Sequence, residues 1–139
     1  MRYLLDTCVI SELVRTGPAE SVVQWIRNQQ EEHLHLSVLT LGEIRKGVER
    51  LVDGQKRLRL ENWLDRDLKL RFAGRWLNVD DETAERWGLL TAVSAKQGIV
   101  VSVIDGLLAA TALVHGMTLV TRNTSDFQST GVMMLNPWE

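Results

Sequence analysis

Two periods of apolar residues run along this chain. Short apolar or alternating runs at 2–5, 33–37, 77–79, 118–121 and 132–135 read as strands, because side chains one residue apart face opposite sides of a pleated ribbon. Between them lie stretches with helical spacing. Residues 7–15 predict a first helix, stopped by Gly17-Pro18, and residues 19–29 a second, with Val22, Val23 and Ile26 as its apolar side. Leu41, Ile44, Val48 and Leu51 make the stripe of a helix over 40–52. Leu60, Leu64, Leu68 and Phe72, each four apart, mark another over 55–72. A helix opens at Asp80-Asp81-Glu82-Thr83, where acids favour the positive end of the macrodipole, and ends near Gly98. Residues 104–114 are almost wholly apolar and predict a buried helix ended by His115-Gly116. Residues 99–103 fit a strand or a buried connection, and 122–127 read as a loop. Strands alternating with helices predict a layered α/β fold with a mainly parallel sheet. No repeat, low-complexity segment or linker divides it, so residues 1–139 are expected to form a single domain.

Composition narrows the class. The chain has 139 residues, 45% hydrophobic and 24% charged, with two prolines, which is a globular and not a disordered balance. One cysteine excludes an internal disulfide and fits a reducing compartment. No apolar run is long enough to span a membrane, and Arg2 and Asp6 interrupt the start too early for a secretory signal. A cytoplasmic protein is expected. The net charge of −2 conceals a basic middle: residues 45–75 carry +5 and the remainder −7. An acidic body with a basic segment suits a polyanion held near carboxylates; a solvated helical face of mixed charge is the bland account.

The chemistry lies in acids set at the ends of elements. Asp6 follows a strand directly. Glu43 stands early in a helix, beside its apolar stripe. Asp105 sits at the head of the apolar helix, and Asn123 and Asp126 follow another strand through a turn. Each has an ordinary account: Asp6 or Asp105 as a helix cap, Glu43 as an exposed glutamate, Asp126 as a turn residue. Their joint placement at strand and helix ends is better explained by one site in a crevice at the edge of a parallel sheet. Gathered carboxylates repel without a cation, and oxygen ligands alone select a hard ion, Mg²⁺ or Mn²⁺. That is the chemistry of metal-dependent nucleases, in which an ion activates water and steadies a phosphodiester transition state. Thr7 and Thr121 are hydroxyls beside the acids, able to orient a carboxylate or simply to end an element. Zinc clusters, glycine-rich phosphate loops and Ser or Cys nucleophile motifs are absent from the sequence.

Four stretches carry a resemblance. They are Leu4-Leu5-Asp6-Thr7-Cys8-Val9-Ile10-Ser11-Glu12, Ser37 through Gly47 around Glu43-Ile44-Arg45, Ile104-Asp105-Gly106-Leu107-Leu108-Ala109-Ala110, and Leu119-Val120-Thr121-Arg122-Asn123 with Asp126-Phe127. In this order the chain resembles the PIN-domain family, and within it the VapC-type toxins of bacterial toxin–antitoxin pairs. The resemblance implies a three-layer α/β/α domain and a Mg²⁺- or Mn²⁺-dependent endoribonuclease. Asp6, Glu43 and Asp105 fall on the family's acidic site. The fourth position is assigned to Asp126, with Asn123 a supporting or ligand candidate beside Thr7 and Thr121. Cys8 stands where many members carry Asn. The resemblance also implies a homodimer inhibited by a cognate VapB-type antitoxin, with no membrane association. Two other readings make different predictions. An aspartyl phosphotransfer enzyme would use Asp6 as nucleophile, but the second Asp it needs two residues on is here Cys8. A non-catalytic domain would only bind RNA or a protein.

Overall fold

Strand β1 (Tyr3–Leu5) lies at the centre of the sheet, and its two leucines explain why. Leu4 and Leu5 are both fully buried, yet they enter different cores on opposite faces. A strand buried on both faces must be covered by helices above and below. The structure is a computed structural model describing residues 1–139. After β1 come α1 (Thr7–Leu13), α2 (Glu20–Arg27), a single 3₁₀ turn at Glu31–His33 and β2 (Leu34–Ser37). Helices α3 (Val38–Glu49) and α4 (Gln55–Asn62) follow. The latter runs on through a π-helical stretch (Trp63–Leu68) into α5 (Lys69–Arg71). Then come β3 (Trp76–Leu77), α6 (Asp81–Lys96), α7 (Val103–His115), β4 (Thr118–Val120), a 3₁₀ segment (Thr124–Thr130) and β5 (Met134–Leu135).

The strand order is β3-β2-β1-β4-β5, and every pair is parallel. From β1 the chain builds outward to β2 and β3, then returns to add β4 and β5 on the other side. The order therefore reverses between β1 and β4, and this is where a parallel sheet leaves a crevice beyond its strand ends. One face carries Leu5, Val9, Val22, Leu34, Ile44 and Leu64; the other carries Leu4, Leu108, Ala109, Leu119 and Phe127. Two helical layers enclose one sheet, as the alternation of periods predicts. No helix is long and apolar enough to cross a membrane.

The spacing of Leu60, Leu64, Leu68 and Phe72 has a structural consequence. Each step of four overshoots an α-helical turn of 3.6 residues, so an unbroken α-helix would rotate the stripe off the core. The π-helical stretch, with its wider turn, absorbs the excess. Leu64, Leu68 and Phe72 all end buried as a result.

Two expected elements differ. Residues 99–103 are neither strand nor buried connection: Val100 is 96% exposed, and only Val101 is buried there. Residues 99–102 form a surface link between α6 and α7, and Val103 opens α7. The 122–127 loop is largely a 3₁₀ turn, closed by Gly131 in the left-handed region (φ 78°).

Candidate active site

Asp6 is the first residue beyond β1. Its backbone N–H still belongs to the sheet and donates to the Val120 carbonyl at 2.9 Å. The residue is therefore locked to β4 while its side chain turns toward the strand ends. The carboxylate is only 8% exposed, and both oxygens have partners. Oδ1 accepts the Thr7 backbone N–H at 2.7 Å, which makes Asp6 the N-cap of α1. Oδ2 accepts the Thr121 hydroxyl at 2.8 Å. The cap and the site are thus one residue with two duties. Burial raises the Asp6 carboxyl above its ordinary value; the bonds from Thr121 and Thr7 oppose the rise, and the charges of Asp105 and Glu43 add to it.

Thr121, directly after β4, is fully buried. Its hydroxyl accepts the Asn123 backbone N–H at 3.0 Å while donating to Asp6. Asn123 therefore enters through its backbone, and its side chain is exposed. Across the crevice, the Thr7 hydroxyl donates to Glu43 Oε1 at 2.6 Å and lies 3.1 Å from the buried Thr40 hydroxyl. Glu43 is on the first turns of α3, and the bond to Thr7 links that helix to α1. Thr40 is a member of this network that the sequence did not single out; its signal is a polar residue on the apolar side of α3.

Asp105 lies in the first turn of α7, but it is not the cap. Ser102 takes that role, accepting the Asp105 backbone N–H at 3.3 Å. The Asp105 carboxylate is left free toward the crevice, half-buried. Burial raises it, the Ser102 hydroxyl opposes the rise, and the charges of Asp126 and Glu43 push it further up. Asp126 stands exposed on the 3₁₀ segment. At the reversal of strand order Asp105 and Glu43 thus act on Asp6, and Asp126 and Glu43 act on Asp105. They are not already gathered to a point: no three His, Cys, Asp or Glu side chains converge closely enough to chelate an ion. Asp6 is the buried member, Asp105 is half-buried, and Glu43 and Asp126 are exposed.

The donor set is oxygen. Cys8 Sγ lies 3.6 Å from Asp6 Oδ2 as an S–H donor, and burial together with the Asp6 charge pushes this thiol up to about 11. It is protonated at neutral pH, so it adds no thiolate, and the set suits a hard divalent cation. Asp6, with both oxygens held, is not presented as a nucleophile.

A parallel sheet with this strand order, and an acidic crevice at its reversal, define the class. A model of the PIN domain family matches residues 3–132, and the chain belongs to that family. It is 38% identical over 136 residues to VapC ribonuclease Y4jK of Sinorhizobium fredii, covering 98% of this chain and 97% of that protein. It is also 38% identical over 135 residues to Toxin FitB of Neisseria gonorrhoeae, covering 97% of each. The crystal structure of FitAcB from Neisseria gonorrhoeae superposes with a TM-score of 0.94 at 37% identity, covering 99% of both chains.

Proposed function

We propose that this chain is a metal-dependent endoribonuclease and the toxin of a VapBC-type toxin–antitoxin pair, acting as one PIN-like domain in the cytoplasm. The observation that carries the reading is the buried, doubly held Asp6, with Asp105 and Glu43 near enough for their charges to act on it and Asp126 acting in turn on Asp105. The full-length similarity to a VapC ribonuclease and to a FitB toxin supports it.

Asp6, Glu43, Asp105 and Asp126 would hold Mg²⁺ or Mn²⁺. Held by these residues, such an ion would supply a water of lowered pKa and a positive charge to offset the negative charge developing on a phosphodiester. The chain's own residues prepare the site. The hydrogen-bonded series Asn123 to Thr121 to Asp6 fixes one carboxylate, and Thr7 fixes the Glu43 carboxylate opposite. Such supporting bonds set ligand orientation and basicity. The partners are an RNA substrate, a second copy of the chain and a cognate VapB-type antitoxin.

The test is cleavage of a mixed pool of structured RNAs with Mn²⁺, with Mg²⁺ and with chelator, beside Asp6→Asn prepared identically. Cutting that needs metal and is lost in the variant is expected. Cutting that survives in Asp6→Asn would place the activity elsewhere. Absence of cutting, with expression of both proteins equally harmless to cells, would favour a binding domain.

A further inference from the structure

The basic segment 45–75 divides into two groups once its partners are known. Arg57 is held by Glu49, Asp53 and Glu61; Arg45 and Lys69 meet Asp65; Arg71 and Arg75 meet Glu31. These five cations bind the fold together. Lys46, Arg50, Lys56, Arg59 and Arg66 have no ion-pair partner. Of these, Lys56 and Arg59 line a groove of about 480 Å³ between α1, α3 and α4. Thr7 and Glu43 line it too, so the groove opens directly onto the acidic crevice. Trp63, half-buried, forms part of its wall.

One wall of the groove can be altered without disturbing the fold. Gly47, within α3, also lines the groove. A Cβ built on Gly47 meets nothing within 4 Å, so no packing contact requires glycine there. A larger side chain at Gly47 would therefore enter the groove without displacing the packing behind it.

We propose that this groove holds the backbone of single-stranded RNA on one side of the cleaved bond, with Lys56 and Arg59 on its phosphates and Trp63 offering a face to a base. The assignment rests on the ribonuclease reading. A phosphodiester chain entering the crevice must pass Glu43, whose charge repels it, and two unpaired cations beside Glu43 offset that repulsion. Aromatic stacking gives purchase without sequence preference.

The test is fluorescence anisotropy of a labelled oligouridylate with full-length protein in chelator, where binding is read without cleavage, over a range of salt. Lys56→Gln with Arg59→Gln is compared with Arg50→Gln with Arg66→Gln, an equal loss of charge outside the groove. The groove pair is expected to weaken binding about tenfold or more and to lower the slope of log K against log salt by about 1.4, at roughly 0.7 for each lost phosphate contact. The control pair leaves the slope unchanged. Gly47→Leu is expected to weaken RNA binding while keeping or raising the melting temperature, a combination that a purely structural role would not give. Equal slopes for wild type and groove pair would overturn the proposal. So would a groove pair that binds RNA normally but loses an antitoxin chain. Wild type that binds RNA through the groove yet cuts nothing with metal overturns the ribonuclease reading and leaves the groove assignment standing.

Discussion

The Thr121 hydroxyl donates to Asp6 Oδ2 at 2.8 Å across 115 residues of chain. This bond joins the ends of β4 and β1 at the point where strand order reverses, and it is buried. Because Thr121 also accepts from the Asn123 backbone, its hydroxyl has one direction in which to donate. The Asp6 carboxylate is thereby fixed in position, and the Thr121 bond opposes the rise that burial causes.

Thr121→Val keeps the shape and removes that donor. Asp6 then loses the bond that most opposes its burial, and its carboxyl rises further. Loss of a bond supporting a metal ligand costs about 10- to 100-fold in activity or metal affinity. Titrating RNA cleavage with Mn²⁺ should show a shifted metal requirement; Thr121→Ser, which restores the hydroxyl, should recover it. Equal titrations for wild type and Thr121→Val would remove Thr121 from the site.

The raised carboxyls set a pH dependence. Asp6 and Asp105 sit above their ordinary 3.8 in the folded chain. Between 3.8 and those raised values the folded state binds more protons than the unfolded one. Stability from these two groups is therefore present at low pH and lost as pH rises through their folded values. In metal-free buffer at neutral pH, Asp105→Asn should melt at or above wild type, and the gap should close in acid. Added Mn²⁺ should reverse the order, because only the intact site binds it well. A marked fall in metal-free melting temperature for Asp105→Asn would instead assign the residue a structural duty.

Gly106 and Gly88 make a matched pair in adjoining helices. A Cβ on Gly106 would stand 2.9 Å from the Trp87 indole, whereas one on Gly88 meets nothing within 4 Å. Gly106→Ala must push α7 from α6 beside Asp105, and such overpacking costs about 1–3 kcal/mol. Gly88→Ala should gain about 0.5–1 kcal/mol from helix propensity. Thermal melts should therefore move in opposite directions, with cleavage falling only for Gly106→Ala.

Leu89 and Val93 on α6, Ile99 and Val100 on the link and Val103 at the start of α7 are exposed apolar residues; Leu89 is 66% exposed and Val100 96%. If the second copy of the chain docks on these residues, breaking their apolar character should separate the copies. Leu89→Asp with Val100→Asp should convert the proposed dimer to a monomer by light scattering. An unchanged mass would assign the dimer to another face.

Much of this architecture was legible in the sequence, because strand and helix periods are local properties. The apolar runs predict β1, β2 and β4, and acids at element ends mark Asp6, Glu43, Asp105 and Asp126. The fourfold spacing of Leu60 to Phe72 predicts a helix, while the π-helical stretch that keeps the stripe on the core belongs to the fold. What sequence could not supply is partner choice. Asp105 at a helix start reads as a cap, and only the structure assigns the cap to Ser102 and frees the carboxylate. The ten cations of 45–75 look alike in sequence. Which are bound by Glu31, Asp65 or the acids around Arg57, and which face a groove, depends on helices meeting at angles that no local pattern encodes. The sequence by itself determined the elements and where their charges stand, because those follow from periodicity and chain chemistry. The tertiary structure alone decided that Thr121 finds Asp6 and that Thr7 finds Glu43, because hydrogen bonds between distant residues exist only after the strands have paired.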